Sequence, residues 1–68
     1  MKIMLRKTGE VFQVYVAKKD MEEYVVAMEN PGLWGGKITL GNGWVFQLPE
    51  MAPDTRLPIS VEARKMES

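Results

Sequence analysis

The sequence predicts an all-β domain, a small closed or partly closed antiparallel barrel of about five to six short strands. Three observations carry this reading: short runs in which apolar and polar residues alternate, a Gly41-Asn42-Gly43 link between two such runs, and no stretch that demands a helix. Short strands leave unpaired edges, and closure into a barrel removes them. A two-layer α+β sandwich with a helix near 20–30 is the alternative.

Lys2 to Arg6 and Val11 to Ala17 open the chain as a hairpin. Ile3 and Leu5 share one face of the first run, and Phe12, Val14 and Val16 share one face of the second. Thr8-Gly9 supplies the turn, and antiparallel pairing through it puts Leu5 and Phe12 on the same side, as a half-buried hairpin requires.

The stretch 20–30 reads two ways. As a helix, Asp20 caps, Glu23 occupies the capping-box position, and Met21, Tyr24, Val25 and Met28 share a face. As a strand, Tyr24-Val25-Val26 is strongly β-prone and Pro31-Gly32 turns the chain. A loop through Glu23 followed by a strand is the preferred reading.

Register decides the next hairpin. A two-residue Asn-Gly turn would oppose Leu40 to Val45 and split the apolar residues between faces. A three-residue loop pairs Leu40 with Trp44 and gathers Ile38, Leu40, Trp44, Phe46 and Leu48 on one face, leaving Lys37, Thr39, Val45 and Gln47 outside. The three-residue loop is therefore expected, with Gly43 at positive φ.

The last run, Leu57 to Arg64, starts at Pro58 and directs Ile59, Val61 and Ala63 inward against Ser60, Glu62 and Arg64. One domain over residues 1–64 follows, with residues 65–68 expected to fray.

Composition narrows the function. The 68 residues contain no cysteine and no histidine, which excludes Ser-His and Cys-His nucleophile pairs and thiolate or imidazole metal sites. Carboxylate or lysine chemistry is all that is left to an enzyme, so a non-enzymatic protein is expected, with no catalytic residue and no cofactor. A domain of this size buries about 60% of its unfolded surface, too small a core to enclose an organic cofactor, so function belongs on the surface. The absence of cysteine fits a reducing compartment, Met1-Lys2-Ile3-Met4-Leu5-Arg6-Lys7 lacks the apolar run of a signal peptide, and no segment reaches membrane-spanning length. A cytoplasmic protein without membrane contact is expected.

Formal net charge is zero but unevenly spread. Residues 1–19 hold five basic and one acidic side chain, and residues 20–54 hold one basic and six acidic. Neighbouring strands that cancel one another are the simpler outcome; a basic and an acidic face are the other.

Four residues are candidates for a partner surface. Trp34, before Gly35-Gly36, reads as a core plug at one barrel end or as an exposed anchor. Glu50, Asp54 and Arg56 occupy a proline-rich loop, where an internal Asp54 to Arg56 pair and recognition of a partner are equally good readings. Asp20, Glu22, Glu23 and Glu29 offer oxygen ligands but lack the spacing of a calcium loop, and read as a solvated face. Met21, Met28 and Met51 read as core filler before partner surface. Tyr15 beside Lys2, Arg6 and Lys18 fits single-stranded nucleic acid, stacking a base over a basic groove, but a chain of zero net charge lacks the positive surplus that phosphate binding needs. A module for single-stranded nucleic acid or an extended peptide is the alternative function.

Taken in order, Val16-Ala17-Lys18-Lys19-Asp20-Met21-Glu22-Glu23, Leu33-Trp34-Gly35-Gly36, Leu40-Gly41-Asn42-Gly43-Trp44, Leu48-Pro49-Glu50-Met51 and Asp54-Thr55-Arg56-Leu57-Pro58-Ile59 resemble the NifT/FixU family of small nitrogen-fixation proteins. The likeness covers almost the whole chain. It implies a barrel-like β fold, a place among nitrogen-fixation genes, and an accessory role by contact with nitrogenase components or maturation proteins. It transfers no catalytic residue.

The hairpin register is testable. A Cβ at positive φ costs about 1 kcal/mol or more, so Gly43→Val should lower the melting temperature further than Gly41→Ala. Equal melting temperatures for the two variants would refute the three-residue loop.

Overall fold

The computed structural model describes residues 1–66. Alternating runs become strands wherever the sequence places them: β1 (Lys2–Thr8), β2 (Val11–Val16), β3 (Met21–Met28), β4 (Lys37–Leu40), β5 (Val45–Gln47), β6 (Ile59–Glu62) and β7 (Arg64–Met66), with one 3-10 turn at Ala17–Lys19. All pairs are antiparallel, in the order β6-β1-β2-β3-β4-β5-β7. This is the expected all-β, partly closed barrel, with seven strands among the described residues in place of five or six.

The β1–β2 hairpin turns through Gly9 and Glu10, flanked by Thr8↔Val11, one residue later than the sequence reading placed it. Leu5 still opposes Val14 and Lys7 opposes Phe12, so Leu5 and Phe12 share the inner face as expected. In the β4–β5 hairpin the three-residue loop forms. Leu40 N–H donates to the Trp44 carbonyl at 2.8 Å, Ile38 opposes Phe46, and Gly43 has φ +92°. A Cβ on Gly41 would come closest to the carboxylate end of Glu23, at 3.1 Å, with the Tyr24 carbonyl and Val26 at 3.9 Å.

Within 20–30, Met21–Met28 is strand, which removes the α+β alternative and also the loop expected through Glu23. Met21, Glu22, Glu23 and Tyr24 pair with β2, and Val25, Ala27 and Met28 pair with β4. Asp20 caps no α-helix. It takes a left-handed conformation (φ +48°), ends the 3-10 turn and accepts a hydrogen bond from the Tyr15 hydroxyl. The capping-box pattern loses because β-branched residues favour the strand and both neighbours satisfy its backbone. An extra residue at Val26 makes a bulge between the two halves of β3, where a strand bends and twists more sharply.

The core gathers Ile3, Leu5, Val14, Val16, Ile38, Leu40, Phe46 and Val61 from the strands, with Leu33, Leu48 and Ala63 from the segments between them. Trp44 lies partly buried against this core, 6.2 Å from the Phe46 ring centroid, with the Lys65 ammonium 4.5 Å above its own ring. On the outer face Arg6 forms an ion pair with Glu22, so the basic first segment and the acidic middle one meet there.

The final run differs most from expectation. It is inward-facing at Val61 and Ala63 as predicted, but it serves two neighbours in turn: Ile59–Glu62 pairs with β1 and Arg64–Met66 with β5. Lys65 and Met66, expected in the tail, therefore belong to a ladder, and residues 67–68 of that tail lie outside the described residues. Ala63 sits between the two ladders, 4% exposed, and exchanges hydrogen bonds of 2.9 Å with Met1 in both directions.

So small and enclosed a position has no room for a longer side chain. Ala63→Leu is expected to cost about 2 kcal/mol by overpacking and to lower the melting temperature by about 10 °C, read by thermal circular dichroism. Surface substitution of the adjacent Glu62 by glutamine should move it by far less.

Candidate functional site

Proline sets up the site. Pro49, Pro53 and Pro58 withhold backbone donors, so the chain between β5 and β6 cannot extend the sheet and instead crosses the surface as a loop. The loop before β4 meets it. Gly35 N–H donates to the Pro49 carbonyl and Leu48 N–H to the Gly36 carbonyl, both at 3.0 Å, and the Gln47 side-chain amide donates to the Gly35 carbonyl at 3.2 Å. Each such bond contributes about 1 kcal/mol. The Leu33-Trp34-Gly35-Gly36 and Leu48-Pro49-Glu50-Met51 segments, remote in sequence, thus form one hydrogen-bonded platform.

Leu33 is what anchors that platform to the core. It is buried despite φ +74°, a conformation that costs a residue with a Cβ about 1 kcal/mol and persists only where its surroundings impose it. Here a turn bond from Leu33 N–H to the Asn30 carbonyl does so, with the Asn30 amide donating to the Trp34 carbonyl. Asn30 also packs so closely on Gly36 that a Cβ there would meet its amide at 2.9 Å.

Trp34 is partly buried, packed against the core beside Leu33, which fills the interior position. Its exposed part lines a shallow groove of about 350 Å³ with Phe12, Pro53, Thr55 and Leu57. Glu50 is exposed, and its Cγ lies 3.2 Å from where a Cβ of Gly35 would be, so its side chain packs on the residue that follows Trp34. Asp54 and Arg56 are exposed on the same loop, between the residues that line the groove. Among the described residues the ion pairs are Arg6 with Glu22 and the Met1 amine with Glu62, and neither joins Asp54 to Arg56. The loop is held by Thr55, whose N–H and hydroxyl both donate to the Ala52 carbonyl.

The acidic residues disperse. Glu22 pairs with Arg6, Glu23 lies against Gly41, Asp20 accepts from Tyr15, and Glu29 accepts from the Lys37 N–H. Among the described residues no three acidic side chains come together to hold a metal ion. Tyr15, Lys2 and Lys18 do meet, in an open groove of about 660 Å³ that also includes Met1 and Met4; Arg6 does not line it. The Tyr15 phenol is committed to Asp20 at 3.0 Å, and that bond, with the carboxylate's charge and slight desolvation, raises its pKa above the ordinary 10.0. Leu33 escaped the sequence reading, which gave the plug to its neighbour; a leucine before Trp-Gly-Gly was the available signal.

Fold and surface together define a small all-β barrel protein whose candidate site is a loop platform. Comparison with known proteins gives the family. The NifT/FixU protein family model matches residues 1–63. The chain is 54% identical to Protein FixU of Rhizobium leguminosarum bv. trifolii, over 96% of this chain and 93% of that protein. It is 44% identical to Protein NifT of Azotobacter vinelandii, over 93% and 90% respectively. It is also 47% identical to a stretch of Protein MosB of Rhizobium meliloti, which covers 97% of this chain and 13% of that longer protein. The chain belongs to the NifT/FixU family and is a nitrogen-fixation-associated protein.

The Tyr15–Asp20 bond is testable through the phenol. Its folded pKa lies above the unfolded one, so the Tyr15–Asp20 bond stabilises the fold below pH 10 and is lost as pH rises through the raised value. In a Tyr24→Phe background, where Tyr15 is the remaining tyrosine, Asp20→Ala should lower the phenolate absorbance midpoint. An unchanged midpoint would mean that Asp20 does not hold the phenol.

Proposed function

We propose that this chain is a non-enzymatic accessory protein of nitrogen fixation, working in the cytoplasm through protein contact during assembly, maturation or stabilisation of nitrogenase. The observation that carries the reading is the platform itself. Two segments that mark the family meet through backbone hydrogen bonds and carry Trp34, partly exposed, one residue from the Gly35 on which Glu50 packs. A fixed aromatic next to a charged rim is the arrangement of an interface anchor, since large aromatics dominate binding energy where their rotamers are already fixed. A chain with neither cysteine nor histidine supports a contact role over catalysis, and the lack of cysteine fits a reducing compartment. Among the described residues no helix is long and apolar enough to cross a membrane.

The nucleic-acid alternative has one foothold, the groove of Tyr15, Lys2 and Lys18. It offers a single aromatic whose hydroxyl is tied to a carboxylate, on a chain with no positive surplus. That is a poor stacking platform.

Affinity capture of the tagged protein from cells grown fixing nitrogen, with ammonium-grown cells as control, tests the proposal. The wild type should enrich nitrogenase subunits or maturation proteins. Trp34→Ala, truncating an anchor worth about 2 kcal/mol, should reduce that enrichment about thirtyfold. Enrichment of nucleic-acid-binding proteins, or of nothing, would sink the accessory reading.

A further inference from the structure

β2 and β3 run side by side only from Val16↔Met21 to Gln13↔Tyr24. Beyond that pair, β2 continues to Val11 with β1 as its paired neighbour, and β3 continues to Met28 paired with β4. The bulge at Val26 parts them, because the second half of β3 bends away towards β4. Two strands adjacent in the sheet therefore face one another across a groove of about 340 Å³, each with an edge that no ladder covers among the described residues. The free edge of β3, Val25–Met28, is about 13 Å long, enough to pair with about four residues of another strand.

What lines the groove says what fits it. Val11, Val26 and Met28 are 42%, 65% and 39% exposed, and they are three of the five large apolar side chains so exposed among the described residues. Its charged lining residues are Glu10 and Glu29, and no basic side chain lines it. Apolar walls, an unpaired strand edge and two carboxylates together specify a cationic, extended occupant.

We propose that this groove binds an extended peptide segment of a partner protein, apolar at alternate positions and basic between them, which adds as a strand to the free edge of β3. Backbone hydrogen bonds to Val25–Met28 set its direction, its apolar residues cover Val11 and Val26, and its lysine or arginine residues reach Glu10 and Glu29. The proposal rests on the reading that the protein acts by protein contact, and it assigns that contact a second site, separate from Trp34.

The probe is a short peptide of alternating valine and lysine, with its valine and glutamate counterpart, titrated against the whole protein and followed by NMR amide shifts and hydrogen exchange. The lysine peptide should move and protect the amides of Phe12 and Val25–Met28, and bind about tenfold more tightly than the glutamate peptide at low salt. Val26→Lys, at an exposed position where folding is little affected, should weaken the lysine peptide about tenfold with an unchanged melting temperature. Glu10→Gln with Glu29→Gln should erase the preference between the peptides. Equal binding of both peptides, no binding, or shifts confined to the Tyr15 groove would overturn the proposal. So would shifts that follow protein concentration alone, which would assign the groove to a second copy. Capture from nitrogen-fixing cells separates this site from the wider reading: partners retained equally by V26K and wild type overturn the groove alone, whereas no partners for the wild type overturn the accessory role while the titration still judges the groove.

Discussion

A sheet of seven strands has two edges, and in this chain consecutive residues of one run occupy both. Ile59–Glu62 completes the ladder on β1, Arg64–Met66 completes the ladder on β5, and Ala63 alone lies between them. Among the described residues no ladder joins the two edges, so covalent chain alone links them and the barrel is partly closed. The edges left at the two ends of the strand order are short, four residues in β6 and three in β7, which keeps the unpaired backbone small. The geometry needs a small residue at the crossing, which is why alanine sits at an inward position that the alternation would otherwise fill with a branched side chain. The rest of the core takes its shape from that closure, since Ile3, Phe46 and Val61 face one interior only when the sheet has curled.

The same constraint explains which parts of the fold were legible. Hairpins were readable because register follows from local facts: alternation in Ile3 to Leu5 and Phe12 to Val16, and positive φ at Gly43. Ile59, Val61 and Ala63 were readable as one inward face but not as two ladders, because alternation tells which way a residue faces and says nothing about which neighbour it pairs with. The start of β3 was hidden for a related reason. Met21-Glu22-Glu23 is poor in β-branched residues and rich in helix signals, and only β2 alongside it makes the strand favourable. At Val25-Val26-Ala27 three apolar residues in succession broke the alternation, a local sign of the bulge that the sequence reading absorbed into strand propensity.

Of the candidate site, the segments were legible and their meeting was not. Trp34 and Glu50 stood out one by one, for an aromatic among glycines and a charge among prolines. Nothing in their spacing says that Gly35 bonds to Pro49 and that Glu50 packs on Gly35. Asp54 and Arg56 show the converse, close in sequence yet joined by no ion pair, because the turn at Ala52 to Thr55 fixes the loop without them. The groove beside Val26 depends on two strands diverging, a property of the assembled sheet alone.

The bonds between Met1 and Ala63 join residues 62 positions apart. Loop closure of that length costs more chain entropy than any hairpin, while β1, β2 and β3 form a meander whose partners are near in sequence. Assembly ordered by entropy builds the meander first and seats the crossing strand last. Until Val61 and Ala63 arrive, Ile3, Leu5 and Phe46 lack part of the cover they have in the folded core, so the run that pairs last is also the one that completes the packing.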